Sequence, residues 1–161
     1  MPPLKIAIMK KHIFTLMIGL IALQTALAAS AKKDEAEWLT SLPKALEQAK
    51  ADNKVVMLDF TGSDWCPPCM KLKKEVFTKP EFAEYATKNL ILVEVDFPQR
   101  KRLSKAQQEA NDALAEKYNT SGMIPTIVLM NKDQKVLGSV GYTPGGPKAF
   151  IAELEKILRR K

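Results

Sequence analysis

The sequence predicts an α/β protein: one central mixed β-sheet flanked by helices on both faces. Three observations carry that expectation. Continuous apolar runs at 54–60, 90–97 and 124–130 read as strands buried on both sides. Segments with helical spacing separate them. A tight polar turn and a further short run follow the third, which adds a hairpin to the alternating strands and helices.

The elements follow in the order α-β-α-β-α-β-β-α, after a short strand or turn at Trp38-Leu39. Leu42, Ala45, Leu46 and Ala49 recur at helical spacing, with Pro43 tolerated in the first turn and Asp52-Asn53 as the stop. The first long strand, 54–60, leads to a helix beyond Cys66 that buries Leu72, Val76 and Phe77. Pro80 restarts the chain into a second helical piece, 81–88. The strand at 90–97 gives way to a polar loop, 98–106, and a helix at 107–118 spaced through Ala110, Leu114 and Tyr118. Proline lacks an N–H, so Pro125 fits only the start of the strand at 124–130. Residues 131–134 turn the chain into a hairpin partner at 135–140. Gly141 and the loop Pro144-Gly145-Gly146-Pro147 precede a last amphipathic helix at 148–158.

The N-terminus reads as a targeting segment. Lys5, Lys10 and Lys11 form a basic region with no acid before Asp34, residues 13–23 are almost wholly apolar, and Ala26-Leu27-Ala28 is an A-x-A cleavage pattern. Ala29-Ser30-Ala31 offers a second cleavage site, and Met9 a more compact start. The expected division is a signal peptide at 1–28, cleaved as late as 31, and one domain at 32–161. An uncleaved membrane anchor is the alternative. It would want about 20 apolar residues, and Gln24-Thr25 interrupts this run. The expected location is the periplasm or otherwise outside the cytoplasm.

Removing residues 1–28 would take away three lysines and no acid, lowering the net charge from +7 to +4 and leaving 133 residues. That length suits one domain with one core. Gln99-Arg100-Lys101-Arg102 and Arg159-Arg160-Lys161 read by default as solvated charge. Nucleic-acid binding would need a denser basic patch with interleaved aromatics, so no nucleic acid is expected as a partner.

The chemistry lies in Trp65-Cys66-Pro67-Pro68-Cys69, which holds both cysteines of the chain. At a strand-to-helix junction the first sulfur sits at a helix N-terminus, where free N–H groups and the dipole favour thiolate. The second lies one turn further in, within reach of a disulfide to the first. Such a pair suits dithiol–disulfide exchange. Three other readings compete. Zinc normally takes four ligands, and the only histidine, His12, falls in the targeting segment. A structural disulfide closing so small a loop adds little stability. Inert buried thiols belong in apolar runs, whereas Asp64, Lys71, Lys73 and Lys74 surround these. No metal and no cofactor beyond the Cys66–Cys69 pair is expected.

From about residue 38 to its end the chain resembles thioredoxin-fold proteins, and most nearly the exported bacterial thioredoxin-like thiol–disulfide oxidoreductases. The stretches carrying this likeness are Phe60-Thr61-Gly62-Ser63-Asp64-Trp65-Cys66 and Lys73-Lys74-Glu75-Val76-Phe77. Four features anchor it: Trp-Cys-x-x-Cys after a buried strand, Ile124-Pro125-Thr126, the hairpin, and Val140-Gly141 before the last helix. The resemblance implies that Cys66 attacks, Cys69 resolves and Trp65 packs beside them. On the residues alone Pro125 could be cis or trans. The resemblance implies cis, with the backbone of Ile124 turned toward substrate beside Cys66. It also implies that Asp59 is a buried proton acceptor for Cys69; the alternative is a strand-end aspartate making a local hydrogen bond. The chain departs from the family in one extra residue between Asp59 and the cysteines, and in Leu92 where thioredoxins place a lysine near this acid.

Pro67 and Pro68 remove two N–H donors from the helix start, and Asp64 adds a negative charge, while Lys71, Lys73 and the dipole pull the other way. A moderately favoured thiolate follows, and with it a reductase or isomerase potential of about −200 to −270 mV. Cys66 is expected exposed and Cys69 shielded. The expected partners are clients with disulfides or thiols and a membrane or periplasmic electron donor, the protein itself being a monomer. The alternative, from another class, is a binding module presenting peptides along Pro125 or the 99–106 insertion without turnover. A peroxidase would want an activating Arg/Thr constellation near Cys66.

Overall fold

The computed structural model describes residues 36–160; the targeting segment lies outside them. The elements are β1 (Trp38–Leu39), α1 (Leu42–Asp52), β2 (Val55–Thr61), α2 (Pro67–Leu72), α3 (Pro80–Asn89), β3 (Leu90–Asp96), α4 (Lys105–Tyr118), β4 (Thr126–Met130), β5 (Val136–Val140) and α5 (Gly146–Leu158). The sheet order is β1-β3-β2-β4-β5, with β2 central. β3 runs parallel to both β1 and β2, whereas β4 is antiparallel to β2 and β5. This is the mixed sheet that the alternation followed by a hairpin predicts.

Both faces of the sheet are covered, because alternate residues of each strand point to opposite sides. Val56, Leu58 and Phe60 of β2, with Ile91, Val93 and Val95 of β3, bury against Leu42, Ala45 and Ala49 of α1 and the half-buried Leu114 and Tyr118 of α4. Met57, Leu90, Leu92, Ile127 and Leu129 bury on the other face against Leu72, Phe82, Phe150 and Leu154. There the Phe77 ring lies 5.0 Å from Phe82 and 5.6 Å from Phe150.

Several boundaries differ from the sequence reading for local reasons. α4 begins at Lys105 because the Ser104 hydroxyl caps it, accepting the Gln107 N–H at 3.2 Å. α5 begins at Gly146, so Pro147 lies in its first turn, where no N–H is missed. β4 starts at Thr126 and leaves Pro125 just outside. Beyond Leu72 the helix widens into a π-turn, Lys73–Phe77, closed by the Thr78 N–H on the Lys73 carbonyl at 3.0 Å. The adjacent residues Val76 and Phe77 are both buried there.

The apolar ladder on the α2 face ends abruptly. Val55 pairs with Leu90 and Met57 with Leu92, but the next two pairs on that face are Asp59 with Glu94 and Thr61 with Asp96. At the C-terminal ends of β2 and β3 the covered face turns polar, directly beneath the start of α2.

Candidate active site at the start of the second helix

Residues 62–66 turn the chain from β2 into α2. The N–H groups of Trp65 and Cys66 both donate to the Gly62 carbonyl, at 3.2 and 2.9 Å. The indole of Trp65 lies over Gly62 so closely that a Cβ there would stand 2.7 Å from the ring. Its Nε1–H donates to the Phe97 carbonyl at 2.6 Å, which fixes the ring edge. Cys66 is the N-cap of α2, and Pro67 and Pro68 occupy the first turn. With their donors absent, the Cys69 N–H is the one that reaches the Cys66 Sγ, at 3.3 Å. The two sulfurs form a disulfide, S–S 2.07 Å, with the Cα atoms 5.3 Å apart.

The expected difference in exposure is not found in this oxidised form: both cysteines are 4 % exposed. Each bonded sulfur covers the other, and the outer surface of the turn is formed by Trp65, Pro67 and Pro68. Their surroundings still differ. Cys69 lines a cavity of about 20 Å³ together with Asp59, Thr61, Ser63, Lys73 and Glu94, and Cys66 does not. That volume matches a single water molecule, and the lining is polar enough to hold one.

Asp59 is the fifth of seven residues in β2, not a strand end, and no local hydrogen bond meets its Oδ1, which has no partner among the described residues. Burial pushes its carboxyl up to about 8, and the Glu94 carboxylate adds to the rise, while Lys73 opposes it and Asp96 adds a smaller part. The residue opposite Asp59 on the next strand is Glu94, not Leu92, which pairs one step back with Met57. The lysine missing from the strand arrives from the helix side instead, Lys73 Nζ standing 3.5 Å from Glu94 Oε1.

The loop after β3 is tied to the same turn. Asp64 accepts three successive backbone N–H groups, those of Gln99 at 2.9, Arg100 at 2.8 and Lys101 at 3.1 Å. The Gln99 N–H, and then the other two, hold its carboxyl below the usual range. Asp96 accepts the N–H and hydroxyl of Ser63 at 2.8 and 2.6 Å and pairs with Lys101 Nζ at 3.1 Å. Asn111, buried in α4, donates to the Asp96 carbonyl at 2.7 Å. Sequence reasoning took Asp64 as a charge beside the sulfur and missed Glu94, Asp96 and Asn111. The alternation Leu90, Leu92, Glu94, Asp96 against Ile91, Val93, Val95 was the available signal for two of them.

The Ile124–Pro125 bond is cis, as the resemblance implied. Phe60 pairs with Thr126, so Pro125 lies at the end of the sheet where β2 turns toward Cys66. The Met123 carbonyl is held by the Thr126 hydroxyl at 2.7 Å and the Asn119 amide at 2.9 Å. A Cβ on Gly141 would lie 3.6 Å from the Pro125 carbonyl. Three of the four large exposed apolar side chains, Trp65, Met70 and Met123, belong to the segments flanking the dithiol and Pro125.

Known proteins resemble this chain in sequence and in fold. A family model described as a thioredoxin-like domain matches residues 42–158. The chain is 36 % identical over 123 residues to the disulfide bond reductase DsbH of Chlamydia pneumoniae, covering 76 % of this chain and 73 % of that protein. It is 28 % identical over 156 residues to the thioredoxin-related protein DsbJ of the same organism, covering 93 % of this chain but only 45 % of that one. A solved DsbH oxidoreductase superposes with a TM-score of 0.73 at 34 % identity, over 79 % of this chain and 87 % of that one. A thioredoxin from Thermus thermophilus shares the fold, with a TM-score of 0.56 at 20 % identity, over 77 % and 88 %.

Proposed function

The chain belongs to the thioredoxin-like domain family and is a thiol–disulfide oxidoreductase; from that premise we propose that it works outside the cytoplasm as a reductase or isomerase of client disulfides. The observation that carries the division of labour is the asymmetry around the two sulfurs. Cys66 caps the helix with the Cys69 N–H as its donor, and Cys69 alone faces Asp59. The reducing direction is supported by the loss of two donors to Pro67 and Pro68 and by the likeness to DsbH, which is named a disulfide bond reductase.

In the reduced protein the Cys66 thiolate attacks a client disulfide. One client sulfur bonds to Cys66 and the other leaves as thiolate. Cys69 then loses its proton and attacks Cys66, forming the internal disulfide and releasing the second client thiolate. The carboxyl of Asp59, raised to about 8, is close to the ordinary thiol value of about 8.5, so the Cys69 proton can pass to it at little cost. Trp65, Ile124 and Pro125 form the surface along which the client segment lies, with Met70 and Met123 as apolar flanks. Regeneration requires a dithiol donor, placed by this reading in the periplasm or its membrane. The export half rests on the basic and apolar pattern of residues 1–28; among the described residues no helix is long and apolar enough to cross a membrane.

Reduction of insulin by dithiothreitol, followed as turbidity, tests the reading. The protein should accelerate it well above a Cys66→Ser control. Equal rates would leave a binding module. Equilibration with glutathione should place the couple between about −200 and −270 mV, and a value near −120 mV would make it an oxidant. N-terminal sequencing of protein from the envelope fraction should begin at Ala29 or Lys32.

A further inference from the structure

A run of cations such as Gln99-Arg100-Lys101-Arg102 is ordinarily a solvated face, and this one would be if its loop were free. It is not free. Asp64, two residues before the attacking sulfur, grips the backbone N–H groups of Gln99, Arg100 and Lys101. Trp65, the next residue, donates to Phe97 at the base of the loop, and Ser63 donates twice to Asp96. Three consecutive residues of the turn that delivers Cys66 therefore hold the loop from its base to its crest.

The clamp also sorts the loop's charges. Lys101 pairs with the buried Asp96 at 3.1 Å, so its charge is matched even though its side chain stays exposed. The Asp64 carboxylate is spent on backbone N–H groups. Arg100 and Arg102 are exposed, and neither has an ion-pair partner recorded among the described residues. What remains on the clamped loop is two exposed arginines, tied through the backbone of Arg100 to the turn that carries the exposed Trp65 and the dithiol.

We propose that this clamped loop is a client-recognition rim, and that Arg100 and Arg102 select extended client segments with acidic residues next to the reacting cysteine. Guanidinium groups suit carboxylates because they offer paired donors. Asp64 is a positioning residue, since it fixes where those groups stand without touching the client. The inference rests on the reductase reading and names its substrate class.

The experiment uses two disulfide-linked peptide homodimers that differ only in flanking residues, one with Asp on both sides of its cysteine and one with Lys. The mature protein, reduced and freed of reductant, is mixed with each, and the second-order cleavage rates are compared. At low salt the acidic peptide should be cleaved about tenfold faster, and the ratio should shrink toward one in molar salt. Arg100→Ala/Arg102→Ala should bring the ratio close to one. Lys132→Glu/Lys135→Glu alters charge at the β4–β5 turn, at the far end of the sheet, and should keep most of the preference.

Asp64→Ala separates position from bulk charge. It removes an anion, so a simple field effect would raise the acidic preference, whereas loss of the clamp should lower it. A wild-type ratio near one, or a preference untouched by the double arginine variant, overturns the recognition rim. A preference that rises in folded Asp64→Ala overturns the positioning role. Failure to cleave either peptide faster than a Cys66→Ser control overturns the reductase reading itself, and the rim with it.

Discussion

Asp59 and Glu94 stand directly opposite each other in adjacent parallel strands, on the sheet face that carries Cys69, with Lys73 reaching Glu94 from the helix above. A buried carboxyl with a second carboxylate as its cross-strand neighbour holds its proton far above the ordinary carboxylate range. Its value of about 8 brings it close to a thiol. Burial first, and the strand pairing with Glu94 second, thus bring the carboxyl proposed as proton acceptor close to the thiol it would serve.

That relationship sets a slope of stability against pH. The folded value of about 8 lies above the ordinary 3.8, so the unfolded chain gives up this proton first as pH rises. The contribution is fully favourable below about pH 4, is lost progressively up to about pH 8, and is constant beyond. Asp59→Asn removes it. Urea unfolding of the oxidised protein should show the variant more stable than wild type by a few kcal/mol at pH 8, bounded by about 6 kcal/mol, with the gap closing toward pH 4. A gap independent of pH would mean that Asp59 is ionised in the fold. The same variant should slow release of mixed disulfides.

The two sulfurs should separate chemically. Cys69→Ser should accumulate covalent client adducts through Cys66, and Cys66→Ser should form almost none. In the reduced protein a short pulse of iodoacetamide at neutral pH should label Cys66 well before Cys69, read by peptide mass. Adducts appearing equally in both variants, or faster labelling of Cys69, would reverse the assignment.

Gly62→Ala should displace the indole of Trp65, because the new Cβ would sit 2.7 Å from the ring. Overpacking of this kind costs about 1–3 kcal/mol. In a Trp38→Phe background, where Trp65 alone emits, the fluorescence should shift and the unfolding midpoint should fall. An unshifted spectrum would show that the ring is not held against the turn.

Asn111→Ala tests how firmly the loop is anchored from behind. The side chain is 2 % exposed, donates to the Asp96 carbonyl and accepts from the Gln107 amide at 2.8 Å. Leaving that carbonyl unmet should cost about 1–3 kcal/mol. Amide exchange at Phe97 and at residues 99–101 should quicken, and equal protection would place the anchor elsewhere.

The parts of this protein legible in its sequence are those decided by neighbours along the chain. Periods of 2 and 3.6 in the apolar residues reveal strands and helices, because the faces of each element are set by local geometry. The Cys66–Cys69 chemistry is legible for the same reason, since two residues of spacing in a first helical turn bring one sulfur to the other. The stop at Asn53 and the restart at Pro80 are likewise short-range backbone effects. Tertiary structure alone decided what faces the dithiol. Glu94 meets Asp59 only through the register of two strands, and a shift of one residue would turn it to the other face. The π-turn that seats Val76 and Phe77 answers to the core beneath it. The grip of Asp64 on a loop 35 to 37 residues away joins a motif and a charge run that sequence spacing leaves unrelated. Hydrogen bonds from a side chain to distant backbone groups carry no periodic trace, and so the loop beside the dithiol took its form only when the sheet closed.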